Sequence, residues 1–236
     1  MIFPSELVSK PRRAENEPGP LYSSLKRTID IIGSGVGLFI LMPVFVILAI
    51  AIKIDSPGPV FYVQERIGKN RRRARRDDPS QGPCRRRQDT FGRPFKIYKL
   101  RSMVVNAEKN TGPVWAAASD SRITRMGGFL RKTRLDETPQ LWNVLRGDMS
   151  LVGPRPERPS FVVTLAQSLP EYPVRCSTLP GITGLAQVKS QYDSSIETVN
   201  RKLQYDLYYV RHGRFMLDLK IMAATVKVMA RGEGAH

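Results

Sequence analysis

Histidine and cysteine are almost missing from this sequence. His212 and His236, with Cys84 and Cys176, are the complete set in 236 residues. They form no CxxC pair and no metal-binding spacing, and they leave a histidine-based triad without its residues, so any general base has to come from carboxylates. With no disulfide framework indicated, a reducing compartment is the default. Acidic residues are also few: 21 Asp and Glu stand against 38 Lys and Arg, a formal charge of +17. That balance suits a polyanionic partner, whether nucleic acid, an anionic membrane face or a phosphorylated substrate. A hydrophobic content of 41% excludes a wholly disordered chain.

Charge is absent altogether from Ile31 to Ile52. As a straight helix this run is about 33 Å long, enough to cross a bilayer core of roughly 30 Å. Pro43 near its middle removes an amide donor and clashes with the preceding turn, which predicts a break. The halves Ile31–Met42 and Pro43–Ile52 are each too short to span. Lys26 and Arg27 precede the run, and Lys53, Arg66, Lys69 and Arg71 to Arg73 follow it. Basic flanks on both sides favour a hairpin that enters and leaves on the cytoplasmic face over one spanning helix. Gly33 and Gly37 form a GxxxG pair, open either to helix dimerisation or to close packing within the chain.

These features divide the chain into a flexible leader (1–24), a re-entrant membrane helix hairpin (25–54) and a membrane-associated catalytic domain (55–236). The leader lacks a signal-peptide cleavage site. Residues 55–68 read as a turn and a short strand, and Phe95–Met103 as its hairpin partner. Between them lies an Arg-rich insert, 69–90, with no aromatic platform for base stacking. Attraction to anionic headgroups, about 1 kcal/mol per basic residue, is the economical use of those arginines; a nucleic-acid arm is the alternative. Beyond Met103 the pattern is helical, with a compact helix from Arg134 to Leu145 ended by Gly147. Arg214–Arg231 reads as a core or interfacial amphipathic helix.

The chemistry-bearing stretch is RLDETPQLWNVLRGDMSLVGPRPERP, Arg134 to Pro159. Asp136 and Glu137 have an ordinary structural reading, as the cap and first turn of a helix. Neighbouring helical side chains diverge by about 100°, so the pair converges only if Asp136 is in non-helical geometry. The surroundings argue for more: Arg131, Lys132 and Arg134 lie upstream, Arg155 and Arg158 downstream. Guanidinium forks suit phosphate oxygens, and Mg²⁺ takes one or two carboxylates plus substrate oxygens. An aspartate can also attack phosphorus itself. PGITGLAQV, Pro180 to Val188, is a tight glycine-flanked turn whose amides could approach a ligand.

The order KR-x-x-D-I (Lys26 to Ile31), a Pro-interrupted apolar run, SPGPVFYVQERIG, YKLRSM (Tyr98 to Met103), DSRITRMGGFLRKTRLDETPQLWNVLRGDMSLVGPRP (Asp120 to Pro156), PGITGLAQV and YDLYYV resembles the bacterial sugar transferases. These are the monotopic polyprenol-phosphate phosphoglycosyl transferases, and the likeness runs from about Lys26 to Gly234. It implies a mostly helical α+β fold, with a re-entrant membrane helix broken at Pro43, a small β-hairpin and interfacial amphipathic helices. It implies that Asp136 and Glu137 are a catalytic dyad holding Mg²⁺. Asp136 attacks the β-phosphate of a UDP-sugar, UMP leaves, and undecaprenyl phosphate takes the phosphosugar. Arg131, Arg155, Arg175, Lys99 and Arg101 fall on phosphate-binding positions, and Pro180, Gly181, Thr183 and Gly184 on the substrate loop. The implied setting is the cytoplasmic face of the inner membrane, among its lipids, as a homodimer or a monomer, with no nucleic acid. The implied role is the first membrane step of exopolysaccharide, O-antigen or glycoprotein glycan assembly. The larger members' four-helix membrane domain has no counterpart, which suggests the compact form. Thr138 stands where Leu is usual, Arg134 where Ser or Thr is, and Cys176 where His is frequent.

Overall fold

The computed structural model describes residues 19–70, 91–107, 120–190 and 196–230. The leader through residue 18 and insert residues 71–90 lie outside them. Helix α1, Pro20–Asp55, opens on a proline whose fixed φ suits a first helical turn. It starts within the expected leader, so residues 20–24 are helical. It also continues on both sides of Pro43: the ring costs one donor, that to the Phe39 carbonyl, without ending the helix. The expected division into two short helices is therefore one element of 36 residues. It is long and apolar enough to cross a membrane, and only 11% of its apolar window is buried. Phe39, Ile47 and Ile54 are among its exposed side chains.

The other face of α1 packs on the folded unit along its length. Added β-carbons at Gly33 and Gly37 would meet Leu151 and Leu141 side chains at 2.9 and 3.0 Å. The GxxxG pair therefore serves close packing within the chain. Further along, Leu48 and Ile52 form a buried cluster with Leu100 and Leu130.

Strands β1 (Phe61–Ile67) and β2 (Pro94–Leu100) form the expected antiparallel hairpin, with Phe61 opposite Leu100 and Ile67 opposite Pro94. Helix α2, Arg125–Thr133, is capped by the Thr124 hydroxyl, which accepts the Gly127 N–H at 3.0 Å. The helix expected from Arg134 to Leu145 is divided instead. Arg134 takes a left-handed conformation (φ 57°), a 3₁₀ turn spans Leu135–Glu137, and α3 runs from Gln140 to Arg146. Pro139, unable to donate an N–H, marks the change of helical type. Gly147 ends α3 at φ 84°, as expected.

A short strand β3, Ser150–Val152, pairs in parallel with β4, Gly181–Thr183. Between them lie α4 (Pro159–Ser168) and a 3₁₀ segment, Tyr172–Ser177. Then α5 (Leu185–Lys189), α6 (Ile196–His212) and α7 (Phe215–Ala230) complete the described fold. Two larger buried clusters hold this half together. Ile67, Val162, Tyr172, Leu203 and Leu207 join the hairpin to α4 and α6. Val152, Leu185, Tyr209, Leu217 and Ile221 join β3 to α5, α6 and α7. The architecture is the mostly helical α+β arrangement the sequence suggests.

Candidate active site

The left-handed turn at Arg134 reverses the chain after α2 and carries Asp136 and Glu137 on the 3₁₀ turn, not on a regular helix. Asn143 fixes this region against the hairpin. Its Oδ1 accepts the Tyr98 N–H at 3.2 Å, and its Nδ2 donates to the Lys96 carbonyl at 2.7 Å. Lys99 follows on β2, and its Nζ reaches Glu137 Oε1 at 2.7 Å. Arg155 approaches from the end of β3. Its Nη2 donates to Glu137 Oε1 and its Nη1 to Oε2, the latter at 3.2 Å. Three elements thus meet on one carboxylate.

Asp136 is held differently. It is buried, and among the described residues no hydrogen bond reaches its carboxylate. Burial, reinforced by the neighbouring Glu137 charge, pushes its pKa up to about 6 against the pull of Lys99, Arg155 and Arg131. Burial would also raise Glu137, but Arg155 and Lys99 hold it well below the usual carboxylate range. One member of the pair is a fixed anion; the other is a carboxylate near the point of ionisation, with its oxygens uncommitted.

Arg175 stands behind Arg155. Its Nη2 donates to the Arg155 carbonyl at 2.8 Å and pairs with Asp206 of α6 at 2.7 Å, while Nη1 donates to the Tyr172 hydroxyl at 2.6 Å. Arg155, Arg175 and Pro180 line one narrow cleft. The Pro180 carbonyl accepts the Ser150 N–H, Gly181 donates to the Pro154 carbonyl, and Gly153 to that of Thr183. Added β-carbons at Gly181 and Gly184 would lie 2.1 and 2.2 Å from Gly153 backbone atoms. These glycines let two backbones touch, and that contact sets where Arg155 emerges. The Thr183 hydroxyl bonds that of Thr225 at 2.6 Å.

Lys99, Arg155, Asp136 and Glu137 therefore converge, and Arg131 contributes its field from the last turn of α2. Arg101 is engaged elsewhere. It is buried and donates to the Ser56 and Pro57 carbonyls, each at 2.6 Å, closing the end of α1. Sequence reasoning gave no role to Asn143 or Asp206, whose partners are distant in the chain. It read Arg27 only as a basic flank of the apolar run and gave no role to Asp30, although their helical spacing with Lys26 is visible in KR-x-x-D.

Among the described residues no three acidic, histidine or cysteine side chains gather into a full metal cage. The carboxylate oxygens open to a cation are those of Asp136 and the remaining lone pair of Glu137 Oε2. Such a set suits Mg²⁺, whose shell is commonly completed by substrate oxygens and water.

The model of the family described as bacterial sugar transferase matches residues 21–76 and 79–232. Among curated proteins, the chain is 37% identical over 219 residues to a UDP-N-acetylgalactosamine-undecaprenyl-phosphate N-acetylgalactosaminephosphotransferase of Aeromonas hydrophila. That alignment covers 93% of this chain and 47% of the relative. It is 44% identical over 154 residues to a putative undecaprenyl-phosphate N-acetylgalactosaminyl 1-phosphate transferase of Bacillus subtilis strain 168, covering 65% of this chain and 74% of the relative. A UDP-glucose:undecaprenyl-phosphate glucose-1-phosphate transferase of Escherichia coli K12 is 36% identical over 205 residues, covering 86% of this chain and 39% of the relative. The chain spans about half the length of the Aeromonas protein and less of the Escherichia one. The match across nearly all described elements, with the dyad and its arginine inside it, makes this chain a member of the bacterial sugar transferase family.

Proposed function

We propose that this protein moves a sugar 1-phosphate from a UDP-sugar to undecaprenyl phosphate and releases UMP. The observation that carries the reading is the contrast within the dyad: a buried Asp136 whose carboxylate accepts no hydrogen bond among the described residues, beside a Glu137 locked between Lys99 and Arg155. Asp136 is the nucleophile. Its oxygen bonds to the β-phosphorus as the bond from phosphorus to the UMP oxygen breaks, and UMP leaves with that electron pair. A phosphate oxygen of undecaprenyl phosphate then attacks the same phosphorus, and the Asp136 carboxylate is released. The second step restores the enzyme.

An anionic carboxylate approaching a diphosphate meets charge repulsion, and Lys99, Arg155 and Arg131 offset it where charge develops. Arg155, with 40% of its side chain exposed, is the member of the Glu137 pair that can turn toward substrate oxygens. Mg²⁺, held by Asp136 and Glu137, supplies further positive charge to the phosphates when bound.

The acceptor's tail stays in lipid, so its phosphate is presented at headgroup depth. Both ends of α1 are fastened to the same folded unit: Tyr22 donates to Asp218 at 2.9 Å, and Arg101 closes the far end. A bilayer cannot lie between either end and that unit, which supports both ends of α1 lying at one face of the membrane. The basic residues Lys26, Arg27 and Lys53 flanking the apolar run favour the cytoplasmic one. Exposed Met216, Val226 and Met229 on α7, interspersed with Lys220 and Lys227, suit an interfacial helix.

The test is to offer the purified protein, with undecaprenyl phosphate and Mg²⁺, a panel of UDP-glucose, UDP-galactose and their N-acetylated forms. UMP release is expected with at least one, and without acceptor a phosphosugar adduct should appear on Asp136. No UMP from any donor would overturn the reading.

A further inference from the structure

Four polar side chains line one face of the first three turns of α1, and every one reaches into the folded unit. Arg27 donates to the Val144 and Leu145 carbonyls at 2.7 and 2.8 Å, satisfying the last turn of α3. Asp30, 3% exposed, accepts the Leu151 N–H at 2.8 Å and the Ser150 hydroxyl at 3.1 Å. Lys26 donates to the Val152 carbonyl at 3.0 Å and to Asp218 at 2.9 Å. Tyr22 adds a bond to the same carboxylate.

The segment grasped in this way is α3, the turn at Gly147 and β3. Its two ends are the reacting parts: Glu137 lies just before α3, and Arg155 just after β3. Their ion pair closes the open side, while α1 clamps the bend. We infer that Arg27 and Asp30 are positioning residues for transfer: by holding the α3–β3 bend against α1 they set the Glu137–Arg155 geometry, and so tie the active site to the membrane helix.

A bend released from α1 would let α3 and β3 shift against each other, and the ion pair at their far ends would be displaced. Misplacing reacting groups by about 1 Å can lower turnover by as much as about a hundredfold without a change in binding chemistry. Ordinary structural support would cost stability alone.

The inference rests on the proposed transferase reading, and the experiment keeps the two apart. Full-length protein in nanodiscs would be assayed for UMP release, with melting followed in parallel and all rates taken well below the transition. Asp30→Ala and Arg27→Ala should lower kcat by about tenfold or more, with KM for the UDP-sugar within about threefold of wild type. Asp30→Asn, which can still accept the Leu151 N–H, should restore most of kcat. Thr28→Ala, on the exposed side of the same turn, should leave it unchanged.

Because Arg27 acts through Arg155, Arg27→Ala combined with Arg155→Lys should cost less than the product of the single losses. Wild-type kcat in Asp30→Ala, an Asp30→Asn as impaired as the alanine, or strictly multiplicative losses would each overturn the inference. Should Asp30→Ala not fold, Arg27→Met decides, since it keeps the apolar stem but can donate to neither the Val144 nor the Leu145 carbonyl. A lowered kcat at unchanged KM supports the inference, and wild-type kcat refutes it. A wild-type protein inert toward every donor would instead remove the transferase reading, and the positioning role with it.

Discussion

Asp136 and Glu137 adjoin in sequence, yet Glu137 is clasped by Lys99 and Arg155 while Asp136 accepts no hydrogen bond among the described residues. The 3₁₀ turn and the left-handed Arg134 before it separate their environments. A buried carboxylate without donors is unfavourable for folding and useful for nucleophilic attack. The consequences can be measured.

Asp136→Asn should abolish both transfer and the trapped adduct while making the folded protein more stable. Removing a buried carboxylate whose pKa is pushed to about 6 gains about 1–3 kcal/mol above that pH. Urea unfolding at pH 8 checks the stability, and UMP release the activity. A variant that still transfers would end the nucleophile assignment.

Activity should fall as pH drops through about 6, because protonated Asp136 cannot attack. Stability should move the other way. Asp136 has a folded pKa above its unfolded one, so the folded state binds the proton more tightly. Its unfavourable contribution is present above about pH 6 and is relieved as pH falls toward the unfolded value. Comparing wild type with Asp136→Asn isolates this: their stabilities should converge on acidification, and a constant gap would contradict it.

Glu137→Gln removes the partner of two cations and the like charge beside Asp136. Breaking a largely buried pair this way costs about 3–5 kcal/mol, reduced here by the partial exposure of Arg155. The acidic limb of any residual activity should move below pH 6, since the Glu137 charge is one cause of the raised Asp136 value. A pH–rate profile on the purified variant reads this directly. An unmoved limb would show that burial alone sets the Asp136 ionisation.

Gly181→Ala should impair turnover without touching a charged group. Its added carbon would sit 2.1 Å from the Gly153 amide nitrogen, forcing β3 and β4 apart at a cost of about 1–3 kcal/mol or more. Arg155 follows two residues later and should be displaced with the strand. Lowered melting together with reduced kcat is expected; a silent substitution would show that the strands have room to separate.

In a background carrying both Cys84→Ser and Cys176→Ser, Pro20→Cys and Val60→Cys should each be labelled by an impermeant reagent from the same side of the membrane. Opposite sides would make α1 a spanning helix, despite its attachment at both ends.

Much of this was legible in the sequence because it is local. The apolar run, the hairpin strands, the stop at Gly147 and the crowding of Asp136 by arginines all appear within short windows. What stayed hidden depends on contacts across long separations. Arg101 looks like one more phosphate ligand in YKLRSM, but the chain returns it to the end of α1, some forty-five residues upstream. Gly181 and Gly184 look like a ligand-binding loop, but their lack of side chains is used by Gly153. The helix expected from Arg134 begins differently because a non-glycine residue, Arg134 itself, adopts a left-handed turn, which propensity does not anticipate.

The bond from Tyr22 to Asp218 joins residues 196 positions apart. During synthesis the first helix emerges long before its partners on β3 and α7 exist, so its greasy surface must find shelter in lipid early. Helix α7, made much later than α1, then locks against it. A chain truncated before Asp218 would retain the dyad, its arginine and the Arg27 and Asp30 bonds, but would lose the ties from Tyr22 and Lys26 to α7.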